Sequence, residues 1–282
     1  MLRRTTHTAG LLAALALTPC PHGGSTPTPS QAPPRATEST TEPWLVEDFS
    51  GYASTEDLLR YPNPIWSGRN EDVNRQAISL DQDAPPVGGQ SMRYTFVSRA
   101  GHPNLCRDYT IGRNVRFPRA TKEVWLEAWF KFSPGWETMV PQCRGQSANA
   151  YKLLFARVRG RGRFAVTAGV MGARLYTIEY PGKGPAFQGR GPGPIQWSAI
   201  TDGRWHLIQQ HLRVSSNPLL ADGYMETRID GVRLNTLSNI VVPVEGIVGI
   251  ALGRNLNQGP LREQSLWWGR IRVWNEDPAW GF

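Results

Sequence analysis

Between Glu123 and Phe132 apolar and polar positions alternate along Glu-Val-Trp-Leu-Glu-Ala-Trp-Phe-Lys-Phe. Successive side chains of a strand point to opposite faces, so Val124, Leu126, Ala128, Phe130 and Phe132 fall on one side. Glu123, Trp125, Glu127, Trp129 and Lys131 fall on the other. The first face is a core face. The second sets indoles among charges, which neither a packed interior nor a plain solvated surface favours. Two readings stand: a second layer or a loop covers the tryptophans, or they line a groove. The groove reading predicts Trp125 and Trp129 accessible on a concave sheet, where indoles stack on sugar C–H faces while polar neighbours meet the hydroxyls.

Similar short runs recur at 91–98, 151–158, 163–170, 174–179, 205–214, 223–229, 247–252 and 266–274, with Trp44 to Phe49 as an opening strand. Gly, Pro, Asn and Asp clusters separate them, and no long stretch keeps a helical period. The pattern predicts an all-β, antiparallel two-sheet β-sandwich. Asp222-Gly223 and Asp230-Gly231 read as hairpin turns on either side of one strand. Ser54 to Leu59 reads as a single capped helical turn.

The N-terminus follows a different grammar. Arg3 and Arg4 precede the small apolar run Ala9 to Leu17, which has signal-peptide length and is too short for a retained span. Leu17-Thr18-Pro19-Cys20 resembles the lipobox of bacterial lipoproteins, in which the cysteine is lipidated, although Pro19 departs from the usual small residue. Pro21 to Glu42 is rich in Pro, Ser and Thr and lacks large apolar anchors. The expected organisation is a leader at 1–20, a disordered linker at 21–43 and one domain at 44–282. The chain is expected to be exported, to the periplasm or cell envelope as a lipoprotein or as a secreted protein.

Cysteine use fits export. With Cys20 at the processing site, Cys106 and Cys143 remain as a disulfide pair, and neither has a second Cys or His at metal-ligand spacing. No cofactor is expected, while a structural calcium site stays open. The formal net charge is +8, and loss of Arg3 and Arg4 with the leader lowers it by two to +6. Such a chain favours anionic partners. The sequence carries no nucleic-acid motif, any membrane contact is expected only through a lipid anchor, and a monomer is expected.

Several segments together carry a family resemblance. They are Glu47-Asp48-Phe49-Ser50, the strand from Val124 to Ser133, Asp202-Gly203-Arg204-Trp205-His206, the stretch from Asp222 to Gly231, and Leu266 to Trp274. Together they resemble the concanavalin A-like lectin and glucanase jelly rolls, most of all the laminin-G-like and polysaccharide-lyase branches. The resemblance covers most of 44–282 and implies a β-jelly roll that engages polysaccharide. It specifies fold better than function.

Three chemistries can be set against the residues. Glycoside hydrolysis needs two carboxylates roughly 5–9.5 Å apart, whereas Glu123 and Glu127, or Glu226 and Asp230, lie about 13 Å apart along one strand. The Glu-x-Asp-x-x-Glu run of the laminarinase-like hydrolases is absent. β-Elimination on a uronate needs a group that neutralises the carboxylate, a base and an acid. Parity puts Gln209, His211 and Arg213 on one face, and Gln209-Gln210-His211 is similar to the Gln-x-His motif of one alginate lyase family. There the pair neutralises the carboxylate and takes part in proton transfer. That family's other conserved runs are missing, so Tyr109, Tyr176 and Tyr224 are candidates by chemistry alone. Nucleophilic and nucleotide chemistry find no motif.

The sequence therefore points to an exported jelly roll that binds an acidic polysaccharide through Trp125, Glu127, Trp129, Lys131, Glu226 and Arg228. Lyase action through Gln209, His211 and Arg213 is the alternative, and a structural or adhesive envelope protein the second alternative. Two further basic segments are unassigned: Arg157, Arg159, Arg161 and Arg163 around a turn, and the Gly/Pro-rich loop from Tyr180 to Trp197.

Overall fold

The computed structural model describes residues 41–63, 65–66, 74–137, 143, 151–159, 169–171, 174–176, 178–179, 188–189, 194–253, 255–256 and 259–280. The leader, the linker up to residue 40, Arg161, Arg163 and most of the 180–197 loop lie outside these residues.

The strands in chain order are β1 (Leu45–Glu47), β2 (Ile78–Asp81), β3 (Ser91–Phe96), β4 (Tyr109–Thr110), β5 (Arg113–Thr121), β6 (Glu123–Phe132), β7 (Leu154–Val158), β8 (Gly169–Met171) and β9 (Arg174–Tyr176). They continue as β10 (Ile178–Glu179), β11 (Gln188–Gly189), β12 (Trp205–Arg213), β13 (Gly223–Ile229), β14 (Val232–Ile240), β15 (Ile247–Leu252), β16 (Asn255–Leu256) and β17 (Gln264–Trp274). An eight-stranded antiparallel sheet runs β14-β13-β12-β6-β17-β3-β2, with β1 also on β17. A three-stranded sheet runs β5-β15-β7. The fold is an all-β sandwich.

Alternation builds the interior as expected. Val124, Leu126, Ala128, Phe130 and Phe132 of β6 join Val115 of β5, Leu154 and Ala156 of β7 and Ile250 and Leu252 of β15 in one buried cluster. Burying a side chain of this size is worth roughly 1.5–3 kcal/mol, so this face fixes the register: a slip of one residue would turn it to the outside. Ser54 caps a single helical turn, Thr55–Leu58, by accepting from the Asp57 amide. Cys106 and Cys143 are joined, with Cα atoms 5.2 Å apart.

Asp230 and Gly231 both have positive φ, 52° and 77°, and link β13 to β14 where Ile229 pairs with Val232. This is the tight turn that twisted strands prefer. Asp222-Gly223 is not a second one. A longer segment separates β12 from β13, and Asp222 instead accepts hydrogen bonds from the Ser216 amide at 2.9 Å and its hydroxyl. β5 and β14 were not expected from the alternation. Pro118 and three arginines mask β5, and polar Asn235, Thr236, Ser238 and Asn239 mask β14.

Candidate functional site

The register of β6, β12, β13 and β17 fixes which polar side chains share the outer face of the large sheet. Along β6 and β12 the opposed pairs are Lys131 with Trp205, Trp129 with Leu207, Glu127 with Gln209, Trp125 with His211, and Glu123 with Arg213. On the flank of β12, Gln209 lies opposite Arg228, His211 opposite Glu226 and Arg213 opposite Tyr224. β17 adds Trp267 beside Lys131, Arg272 beside Glu127 and Trp274 beside Trp125.

The tryptophan platform expected on this face does not exist. Trp125 is 6% and Trp129 1% exposed. Trp125 clusters with Trp274 and Trp280, and the Trp274 indole donates to the Thr41 carbonyl at 2.8 Å. Residues from both extremities of the described domain thus close over this part of the sheet. Of the two readings of the indoles, the covering layer holds.

Glu127 and Glu226 are likewise buried, each 1% exposed, and both are occupied. Glu127 accepts from Arg272 Nε at 2.9 Å and from Arg272 Nη2. Gln209, 7% exposed, donates to the same carboxylate at 3.4 Å, so it is a partner of Glu127 and not a surface group for a uronate. Glu226 is a hub: Tyr224 Oη donates at 2.7 Å, Arg228 Nε at 2.7 Å, Arg233 Nε at 3.0 Å and Thr236 Oγ1 at 3.2 Å. Burial alone would raise its pKa, but the hydrogen bonds from Tyr224 and Arg228 and the charges of Arg228 and Arg233 outweigh that and hold it below the usual range.

What remains accessible gathers at two ends of the face. At the first, the His211 ring lies parallel to Trp125 at 4.5 Å and 5.0 Å from the Tyr224 ring. Its Nε2 is 2.7 Å from Glu123 Oε1. A carboxylate only accepts, so Nε2 carries the proton of the neutral ring and Nδ1 is the basic nitrogen. Burial pulls the His211 pKa down, more than the Glu123 contact lifts it, and Arg213 pushes it the same way. Tyr224 moves in the opposite direction, raised by burial and by its bond to the Glu226 carboxylate. Around this pair stand exposed Arg213, whose guanidinium lies 6.0 Å from the Tyr224 ring, and Arg228 and Arg233, held by Glu226. A neutral imidazole, a protonated phenol and fixed guanidiniums make a set able to accept a proton, return one and neutralise an anion.

The second end lies six residues along β12, about 20 Å away. Here Lys131 pairs with Asp83 and sits 4.4 Å from the Trp267 ring and 5.4 Å from that of Trp205. Both indoles are anchored, Trp205 to Asp83 at 3.2 Å and Trp267 to Asp81 at 3.0 Å. Burial lowers the Lys131 pKa against the opposing pull of Asp81. Trp205 and Trp267 are half-buried, and they are the partly accessible indoles on the face that alternation in β6 alone does not reveal.

Register also sorts the tyrosines. Tyr224 joins His211, Tyr109 packs in the core 5.3 Å from Phe96, and the Tyr176 side chain lies outside the described residues. Among the described residues no group of three or more His, Cys, Asp or Glu is arranged to hold a metal ion.

No protein-family model matches the chain, and no curated protein matches it by sequence. Solved structures do match it. An endo-β-1,4-glucuronan lyase from the fungus Trichoderma reesei superposes with a TM-score of 0.55 at 14% identity, covering 84% of this chain and 99% of its own. An alginate lyase superposes at 0.56 and 12% identity, covering 83% and 98%, and a variant of it in complex with alginate trisaccharide at 0.56 and 11%, covering 84% and 99%. The chain has the jelly-roll fold of these polysaccharide lyases. At such identities the likeness is one of fold.

Proposed function

We infer that this jelly roll engages an anionic polysaccharide at the His211 end of the large sheet and cleaves it by β-elimination. The observation that carries the reading is the placement of His211 beside Tyr224 within a ring of arginines, with the two pKa values pushed apart. Arg213 and Arg228 neutralise the uronate carboxylate, which makes the proton on the adjacent ring carbon removable. His211 Nδ1 takes that proton as the electron pair forms the C4–C5 double bond. The C4–oxygen bond breaks, and the leaving oxygen takes a proton from Tyr224. Glu123 orients the imidazole and Glu226 the phenol. The lyases that share the fold support an acidic glycan as substrate.

Incubation with glucuronan or alginate should generate the unsaturated, ultraviolet-absorbing end group. Removing one acid–base group typically costs 10²–10⁴-fold, so H211A and Y224F should each lower the rate by about that factor with circular dichroism unchanged. A rate unaffected by both substitutions would remove the assignment.

A recognition protein that does not cleave is the second reading, favoured by the anchored Trp205 and Trp267 around Lys131. It predicts binding of the same chains, weakened by salt, without the chromophore. Export of the chain to the envelope, tethered through Cys20 or secreted, belongs to either reading.

A further inference from the structure

We propose a second binding site on the outer face of the small sheet, an arginine-lined cleft that takes a phosphate or sulfate group. The cleft has a volume of about 250 Å³ and is bordered by Arg116 and Arg119 of β5, Arg157 and Arg159 at the end of β7, and Val248 of β15. No carboxylate lines it among the described residues.

An interruption in the sheet creates it. Ile247 pairs with Thr121, while Gly249 pairs with Arg116, so residues 117–120 of β5 stand opposite Val248 alone. On the other flank Ile247 pairs with Val158 and Gly249 with Arg157, so there it is β15 that carries the extra residue, Val248. Irregularities of this kind bend a strand and re-aim its side chains. Pro118, with no amide hydrogen, sits in the interrupted stretch without loss of a ladder bond. Gly249 lies between Arg116 and Arg157 and puts no side chain between them.

The chemistry follows from the guanidiniums. Val115, Ala156 and Val158 turn into the core, whereas Arg116, Arg119 and Arg159 are exposed and make no side-chain hydrogen bond or ion pair to a described residue. Like charges repel, and folding gains nothing by gathering them here. A planar fork of donors matches phosphate and sulfate oxygens bidentately, and several forks around one cleft suit a dianion better than a single carboxylate. The cleft lies on the small sheet and the His211 end on the large one, and the two sites share no residue.

The test is calorimetric titration of the full chain at low ionic strength with inorganic phosphate and pyrophosphate, with acetate as control. Phosphate and pyrophosphate should bind more tightly than acetate, and R116Q/R119Q should weaken them roughly tenfold or more. R119Q alone, at an exposed position, should give a smaller loss and serves if the double variant is unstable. Vesicles containing phosphatidic acid identify the source of the group: co-sedimentation lost in R116Q/R119Q assigns a lipid headgroup, and binding of free phosphate alone assigns a soluble one. No phosphate binding, or binding insensitive to the arginine substitutions, overturns the proposal.

Discussion

The imidazole of His211 lies flat on the indole of Trp125, with the ring centroids 4.5 Å apart and the planes within 8°. Trp125 therefore acts as the floor of the site. It buries its other neighbours, Trp274 and Trp280, and shields the histidine from water on one side.

Trp125→Ala should for that reason cost stability before it costs binding. Deleting a buried aromatic ring typically removes about 3–5 kcal/mol, so the denaturant midpoint should fall sharply. Any elimination activity should fall too, because the His211 ring loses its support. An unfolding free energy unchanged within about 0.5 kcal/mol, the range of a surface substitution, would show that Trp125 is not a packed residue.

The pH dependence of cleavage should carry the mark of His211. Burial lowers its pKa, so the neutral, proton-accepting ring persists to more acidic pH than for an ordinary histidine near 6.5. The acidic limb of kcat/KM should accordingly fall below that value, and Glu123→Gln, which removes an interaction that raises the pKa, should move it lower still. A limb above 6.5, as a rough reference value, would contradict the role.

Stability has a different titrating group. His206, 4% exposed, faces Asp230 Oδ2 at 2.6 Å through Nδ1 and Asp202 Oδ1 at 3.1 Å through Nε2. Burial opposes its charge, but the two carboxylates outweigh burial and raise its pKa. A raised pKa means that the folded state holds the proton more tightly than the unfolded chain. The stabilisation is complete below about 6.5 and is lost as pH rises through the folded value. Thermal scans should show the melting temperature declining over that interval, and His206→Gln should flatten the decline.

Glu127→Ala should be among the more damaging single changes on the large sheet. It leaves Arg272, whose side chain is 14% exposed, without its carboxylate, at a typical cost of about 3–5 kcal/mol. The double change Glu127→Leu with Arg272→Met removes both charges and should recover much of the loss. Urea unfolding of the two variants checks both statements.

Alternation in the sequence was sufficient for the sandwich because the inner face of β6 carries an unbroken apolar series. It could not show what covers the outer face. The indoles of Trp274 and Trp280 and the Thr41 carbonyl are remote in sequence from Trp125, and a strand pattern looks the same beneath solvent and beneath a second layer. The pairing of β12 with β13 was also hidden, and with it the meeting of His211 and Tyr224. Gln209 and His211 share a parity, yet one serves the Glu127 pair and the other stands beside Tyr224; only the neighbouring strands separate their roles.

The Glu226 hub has a thermodynamic consequence for any ligand that arrives. Arg228, Arg233 and Tyr224 are already oriented by one buried carboxylate, so their rotamer freedom is lost during folding and not at the moment of association. Immobilising a long side chain on binding costs roughly 0.5–1.5 kcal/mol, and here that cost is largely absent. Association of a polyanion should then show a smaller entropic penalty than its number of arginine contacts implies. Thr236→Val, which removes one of the four bonds that hold Glu226 in place, should make that penalty grow.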